Sequence, residues 1–385
     1  MLSTEVIGRW DELLALGPEW EAMEDAGGAP TVFQTYAWQG AWVRHQRKGR
    51  CWSLTFRDGR KLVGLAPLFV SHPYRLPVTR LQLLSTGASD YLDLLALPER
   101  RAEVSEAFFG ALRERRRGWG LVDLHQLREE CELLPREHVE QQRHGGPWWR
   151  FHPQAVAPYT DLPQTREAFL EALGKKTRKN LGYSRRVLER EHSVELGLAD
   201  EGCLVQEMEA FFRLHQARWN KRWMPGQMAG ARTRAFHLEA ARGLLRRGKL
   251  RLHYLRLDGA TVASLYCFSH GGVGYYYLGG FDPALSRYGI GTLLTAEAMM
   301  CAIDEGCREF DFLRGQESYK YRWGCLERIN YRLLGTYAGP GPRATERLAN
   351  LEQRVADWYE ARAHGGGHQA PPGSGPAPGA PEDGS

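Results

Sequence analysis

Apolar and polar positions along the 385-residue chain switch between a helical and a two-residue period, and the switches lay out its elements. Residues 11–23 and 34–47 carry apolar positions at helical spacing. Tyr36, Trp38, Trp42 and Val43 share a face of the second segment, so residues 1–50 read as two short helices. The run CWSLTFRDGRKLVGLAPLFV alternates and breaks at Asp58-Gly59, a hairpin signal. Residues 81–84 and 91–95 read as strands about the small polar loop 85–90, residues 99–117 as a helix and 121–127 as a strand. The proline- and aromatic-rich stretch 145–158 reads as a connection to a second unit.

The second unit repeats the order. Helices are predicted at 166–173, 175–191, 203–218 and 232–247, the last stopped by Gly248. Strands follow at 250–257 and 261–270 about Asp258-Gly259. An aromatic strand then runs through GGVGYYYLGGFDP into a glycine loop, an apolar helix and a further strand at 309–313. A strand at 329–337 and a helix from 343 complete the pattern. DGRKLVGLAPLFV and DGATVASLYCFSH hold matching places, which points to a tandem repeat of one α/β (α+β) fold, each copy a mixed, mostly antiparallel sheet flanked by helices. The expected boundaries are 1–150, 151–342, a terminal helix over 343–363 and a disordered Gly/Pro-rich tail over 364–385.

Composition adds little to this outline. Hydrophobic content of 43%, charged content of 25% and a net charge of +5 are those of an ordinary globular chain and do not by themselves indicate nucleic acid. No apolar run approaches the roughly 18 residues of a membrane span, and the N-terminus lacks a signal-peptide pattern, so a cytoplasmic protein is expected. The seven cysteines form no C-x-x-C pair and the histidines sit at no ligand spacing, which predicts neither a disulfide framework nor a metal site.

The chemistry concentrates in 271–323. Gly289 and Gly291 flank Ile290 just before TLLTAEAMMCAI, so backbone amides and the helix dipole can meet an anion there without side-chain obstruction. The P-loop lysine and a third glycine are absent, which excludes the nucleotide-triphosphate and dinucleotide motifs. The stretch EFDFLRGQESYKYRW then sets Asp311 between Phe310 and Phe312 and crowds Glu317, Tyr319, Lys320 and Arg322 at the strand exit. A carboxylate among aromatics suits a general base. Asp311 paired with Arg314 or Arg322 is the structural alternative, and the residues leave both open.

These phrases resemble the GNAT acyltransferase superfamily. Its loop pattern of Gln or Arg, two residues, Gly, any residue, Gly or Ala falls here on Ser286-Arg287-Tyr288-Gly289-Ile290-Gly291, with Ser286 in place of Gln or Arg. More narrowly, YYYLGGFDPALSRYGIGTLL, EFDFLRGQESYKYRW and KKTRKNLGYSRRVLER are similar to the bacterial cellulose-biosynthesis-type GNAT family, which has two GNAT-like halves and shares its double fold with Fem peptidyltransferases. The resemblance implies acetyl-CoA or another acyl-CoA as donor, without a metal. It implies amides of Tyr288, Gly289, Ile290, Gly291 and Thr292 on the pyrophosphate, Leu278 and Gly279 along the pantetheine, Asp311 or Glu317 as base and Tyr319 as acid. Lys175, Arg178, Lys179, Trp219, Arg222 and Lys320 are the expected acceptor contacts, for a small-molecule, sugar or cell-envelope acceptor. The first half, with no G-x-G before its helix, is expected to lack a donor loop. Two alternatives remain: a Fem-like transferase using aminoacyl-tRNA, for which the basic run 175–190 would be the nucleic-acid surface, and a degenerate binding protein.

Overall fold

The chain opens with a strand, not a helix. The computed structural model describes residues 2–336 except 73–78, 116–117, 132, 134–147, 221–227 and 229, together with 347, 350–352, 354 and 355. Strand β1 (Ser3–Ile7) precedes α1 (Trp10–Ala15) and α2 (Gly17–Asp25). Pro18 lies in the first turn of α2, where its missing N–H is harmless, and divides the single helix expected over 11–23. Thr35 caps α3 (Tyr36–Gln46) by accepting from the Trp38 amide. The first half continues through β2 (Arg50–Cys51), β3 (Ser53–Asp58), β4 (Lys61–Ala66), β5 (Leu68–Ser71), β6 (Arg80–Leu83), β7 (Leu95–Ala96), α4 (Arg101–Glu114) and β8 (Leu121–Arg128). The Asp58–Gly59 hairpin closes as expected, Asp58 opposite Lys61.

The expected connection at 145–158 is instead a long strand, β9 (Trp148–Asp161). Proline is rare inside sheets because it cannot donate. Here Pro153 falls where the register with the neighbouring strand shifts, between Asn330 and Tyr331. The bulged Gln154 turns its side chain to accept from the Gln126 amide at 2.8 Å. The second half then runs α5 (Arg166–Ala172), α6 (Lys175–Glu191), β10 (Val194–Leu198), α7 (Leu204–Asn220), α8 (Ala231–Arg246), β11 (Leu250–Leu257), β12 (Ala260–His270), β13 (Val273–Phe281), α9 (Ile290–Asp304), β14 (Glu309–Asp311), α10 (Ser318–Tyr321) and β15 (Leu326–Thr336). Asp258 and Gly259 both have positive φ, as the tight turn between β11 and β12 demands. Most of the helix expected over 343–363, and the whole of the tail, lie outside the described residues.

Two sheets result, mixed and mostly antiparallel. One has the order β1-β3-β4-β7, the other β10-β11-β12-β13-β14-β9-β15-β8-β6-β5-β2. Parallel pairing occurs at β6/β8 and β13/β14, and each parallel pair is bridged by a helix, α4 or α9. In both bridges a short 3-10 turn opened by a proline, Pro98–Arg100 or Pro283–Tyr288, leads to the helix. The halves also exchange strands. β9 follows β8 in sequence but pairs with β14, and β15 follows β14 but pairs with β8, the two exchanged strands lying side by side.

Burial follows from this exchange. Trp38 and Phe33 of the first half pack against Phe236, Phe268, Tyr275 and Tyr277 of the second, so one apolar core runs through both halves. A separate core lies on the opposite sheet face around α9. That helix is apolar on nearly every side because α5, α6, β12 and β13 all pack on it.

Candidate functional site

β13 and β14 hold together from Val273–Glu309 to Tyr275–Asp311, after which β14 ends while β13 runs on to Phe281. A gap opens between the two strands, and among the described residues the edge of β13 beyond Tyr275 has no strand partner on that side. Within this stretch β13 bulges against β12: Tyr276 pairs with Cys267 and Leu278 with Tyr266, leaving Tyr277 as the extra residue. Its hydroxyl donates to the Ala88 carbonyl of the first half at 2.7 Å. A Cβ on Gly279 would stand 2.3 Å from the Tyr276 hydroxyl, so any side chain there would have to displace that ring. At Gly280 a Cβ would meet the α7 backbone at 2.5 Å.

The chain leaves β13 through the 3-10 turn, in which Asp282 accepts from the Ala284 amide, and reaches Gly289 at φ 64° as the cap of α9. The left-handed conformation explains the glycine. The amides of Ile290 and Gly291 open the helix and have no intrahelical acceptor, so they carry the positive end of its dipole. A Cβ on Gly291 would come no nearer than 3.4 Å to Phe281, so this glycine keeps the approach to the amides clear and relieves no clash. Arg322, from the end of α10, donates to Thr292 Oγ1 at 2.9 Å and brings a cation to this terminus. Arg287 stacks on the Tyr288 ring at 4.6 Å, and the Tyr288 hydroxyl donates to Glu191 of α6 at 2.8 Å. Ser286 is exposed and Arg287 stands beside it.

Beyond β14 the chain makes a tight turn. Asp311 is fully buried. Its Oδ2 accepts from the Tyr91 hydroxyl at 2.7 Å and from Arg328 Nη1 at 2.9 Å, and its Oδ1 accepts from the Leu313 amide at 2.7 Å. Its ionic partner is therefore Arg328 on β15, not Arg314 or Arg322, and its oxygens all face protein donors. Burial pushes the Asp311 carboxyl up to about 6, with Arg328 pulling the other way. Leu313 follows at φ 57°, a strained value for a branched side chain. Lys320 stabilises that turn: buried, it donates to the carbonyls of Leu313, Arg314 and Gly315 at 3.2, 2.9 and 2.9 Å and pairs with Glu317 at 2.9 Å. Glu317 caps α10 and lies over Gly315, whose φ of 106° only glycine adopts readily. Tyr319 sets its ring 6.3 Å from Tyr276 of β13, which puts the phenol beside the gap between the strands.

The structure thus brings Leu278, Gly279, Ser286 to Thr292, Glu317 and Tyr319 to the elements around this gap, whereas Lys320, expected as an acceptor contact, is buried with its ammonium on three turn carbonyls and Glu317 and does not reach an acceptor. Lys175, Arg178 and Lys179 are exposed on α6, which packs on the glycine loop. Trp219 is in the last turn of α7, and Arg222 lies outside the described residues. Sequence reasoning missed two participants: Tyr91 comes from the other half and Arg328 from the exchanged strand, so neither carries a local signal. Arg322 stands at the strand exit as its sequence position indicates, and the structure turns it to Thr292 and not to Asp311. The loop 85–90 also reaches the site: Asp90 pairs with Arg314 at 2.6 Å, and its carbonyl accepts from Asn330 at 2.9 Å. The matching end of α4 has Glu103 in its first turn, a charge that disfavours an anion, and Arg100 at its cap is already paired with Glu103 and Asp58. Among the described residues no group of His, Cys, Asp and Glu is arranged to hold a metal, and no helix is long and apolar enough to cross a membrane.

Residues 175–321 match the family model described as acetyltransferase (GNAT) domain. No curated protein matches the chain. Among solved structures the chain is similar to FemX, with a TM-score of 0.62 at 10% identity over 88% of this chain and 98% of that one. It is also similar to the C-terminal domain of a putative lysylphosphatidylglycerol synthetase from Agrobacterium fabrum, with a TM-score of 0.54 at 12% identity over 88% and 96% of the two chains. The third likeness is to L-PGS from Bacillus licheniformis, with a TM-score of 0.54 at 15% identity over 89% and 96%. At these identities the likenesses establish the fold, an α/β arrangement of two tandem GNAT-like halves.

Proposed function

We propose that the chain is an acyl-CoA-dependent N- or O-acyltransferase that moves an acyl group directly from donor to acceptor within a ternary complex. The observation that carries this reading is the Gly289-Ile290-Gly291 start of α9, which opens beside the gap between β13 and β14 and has Arg322 at its side. In this arrangement the loop amides hold the donor pyrophosphate, and the unpaired edge of β13 near Leu278 and Gly279 lines the pantetheine. An edge amide there polarises the thioester carbonyl as negative charge develops on its oxygen. Glu317 takes the proton from the attacking amine or hydroxyl. The new bond forms to the carbonyl carbon, the carbon–sulfur bond breaks, and Tyr319 gives its phenolic proton to the departing thiolate. Asp311, enclosed by Tyr91 and Arg328, positions the strand end and does not meet substrate.

Acetyl-CoA is the first donor to test, with a small-molecule, sugar or cell-envelope acceptor as in the cellulose-biosynthesis-type GNAT proteins that the sequence resembles, working in the cytoplasm. Calorimetry with acetyl-CoA and thiol release over an amine and amino-sugar panel test the proposal: absence of both binding and release overturns it. A second reading, transfer from aminoacyl-tRNA, is favoured by the exposed Lys175, Lys176 and Lys179 of α6. A tRNA gel shift lost in Lys175→Ala/Lys179→Ala, in a protein that does not bind acetyl-CoA, would choose it.

A further inference from the structure

α6 was the most basic segment of the sequence, and its place in the fold gives part of it a use. Two contacts fix its rotation against the glycine loop. Ser184 Oγ stands 3.3 Å from the position a Cβ of Gly289 would take, and Glu191 accepts from the Tyr288 hydroxyl at 2.8 Å. Successive helical residues turn by about 100°. The buried Leu181 and Leu188 therefore fall to one side of Ser184, toward the α9 core. Lys176 and Tyr183 fall to the other side, along the solvent margin of the loop, with Lys179 one step further round. Tyr183 is 63% exposed, the most exposed of the large apolar side chains among the described residues.

Three of the helix's other five cations are engaged. Arg178 reaches back to the carbonyls of Leu170 and Glu171 at 3.5 Å, Arg185 pairs with Glu189 at 2.8 Å, and Arg190 pairs with Glu191 at 2.7 Å. Lys176 and Lys179 make no ion pair among the described residues. An exposed aromatic ring flanked by two unengaged ammonium groups, on the rim of an anion-binding loop, has the chemistry to receive a purine and a phosphate monoester together.

We propose that this face of α6 holds the nucleoside end of the donor, Tyr183 stacking on the adenine and Lys176 with Lys179 contacting the ribose 3′-phosphate. The inference rests on the acyl-CoA reading and moves Lys179 from the acceptor to the donor. With the pyrophosphate on the α9 amides and the pantetheine directed into the gap between β13 and β14, the nucleoside leaves the loop on the side where Lys176 and Tyr183 stand. The helix would thus discriminate a 3′-phosphorylated donor from one lacking that group.

Calorimetry with CoA and with 3′-dephospho-CoA, on the full chain, tests this. Wild-type protein is expected to prefer CoA by about tenfold, and Lys176→Gln/Lys179→Gln to bring the two affinities within about twofold. Tyr183→Ala is expected to weaken both ligands by about five- to tenfold and leave their ratio unchanged. All three positions are exposed, and circular dichroism checks that the variants fold. Wild-type binding of CoA with no preference over the dephospho form, or a preference that survives the double substitution, overturns the inference and leaves the acyl-CoA reading intact. Failure of the wild type to bind CoA or acetyl-CoA overturns both. Loss of a tRNA gel shift in the double variant with CoA affinity unchanged assigns the face to nucleic acid and overturns the inference.

Discussion

The Tyr91 hydroxyl donates to Asp311 Oδ2 at 2.7 Å, joining residues 220 positions apart in sequence and on opposite halves of the fold. The same oxygen accepts from Arg328, which also forks onto Glu309 at 3.1 and 3.0 Å and stacks on Tyr159 at 4.3 Å. One buried carboxylate thus links the first half, the end of β14 and the exchanged strand β15. Because the gap beside β13 begins where β14 stops, this network sets the width of the proposed donor channel.

The network should behave as a unit. Tyr91→Phe removes one donor from a buried carboxylate and is expected to lower stability by about 1–2 kcal/mol. Arg328→Met leaves the buried Asp311 and the half-buried Glu309 without their cation and should cost about 3–5 kcal/mol. Both act on one oxygen, so the double variant should depart from the sum by about 1 kcal/mol or more in urea denaturation. Additive losses would show that Tyr91 and Arg328 act independently and sink this account.

Glu24 gives a pH dependence of defined sign. Its carboxylate accepts from the Tyr36 amide at 2.5 Å, and burial pushes its pKa up to about 7, from about 4.3 in an unfolded chain. The folded state holds the proton more tightly, so stability is greatest below the unfolded value and declines as pH rises from about 4 to about 7. Glu24→Gln keeps an acceptor for Tyr36 and removes the ionisation. Its stability relative to wild type should therefore improve by roughly 2–3 kcal/mol between pH 4.5 and pH 8. A difference that stays flat across that range in thermal or urea unfolding refutes the assignment.

The two loop glycines should separate stability from donor binding. Gly289 has φ 64°, and Gly289→Ala is expected to lower stability by about 1 kcal/mol as well as weaken donor binding. Gly291 is helical with room for a methyl group, so Gly291→Ala should leave the melting temperature unchanged or raise it slightly. That methyl would lie over the amides assigned to the pyrophosphate, and acetyl-CoA affinity should fall about tenfold. Unchanged affinity in Gly291→Ala would remove the loop from the proposed site.

Much of this fold was legible because its elements are local. The hairpin turns at Asp58-Gly59 and Asp258-Gly259, the α6 span and the glycine loop all announce themselves within a few residues. β9 did not, because its prolines mimic a linker and only the bulge at Gln154 reconciles Pro153 with a central strand. β1 was hidden by brevity. The site was legible where the chain stays in one βαβ segment, from Leu278 to Lys320. Asp311 is legible as a carboxylate among aromatics, but its partners Tyr91 and Arg328 arrive from the other half and from another strand, and no local pattern encodes a partner there.

The turn after β14 separates scaffold from chemistry within four residues. Lys320 holds three carbonyls of a turn that contains Leu313 at positive φ, so Lys320→Met should cost about 2–4 kcal/mol and reduce activity through misfolding. Tyr319→Phe keeps the ring packed 6.3 Å from Tyr276 and deletes only the phenolic hydroxyl. Its melting temperature and acetyl-CoA affinity should match wild type, while kcat in a thiol-release assay falls about 10²-fold. Glu317→Gln removes the charge facing Lys320 as well as the proposed base, so kcat should fall and the rising limb of the pH–rate profile should disappear. If Tyr319→Phe turns over as fast as wild type, the thiolate draws its proton from elsewhere and Tyr319 is only a packing residue; if Glu317→Gln keeps the rising limb, the base lies outside this turn.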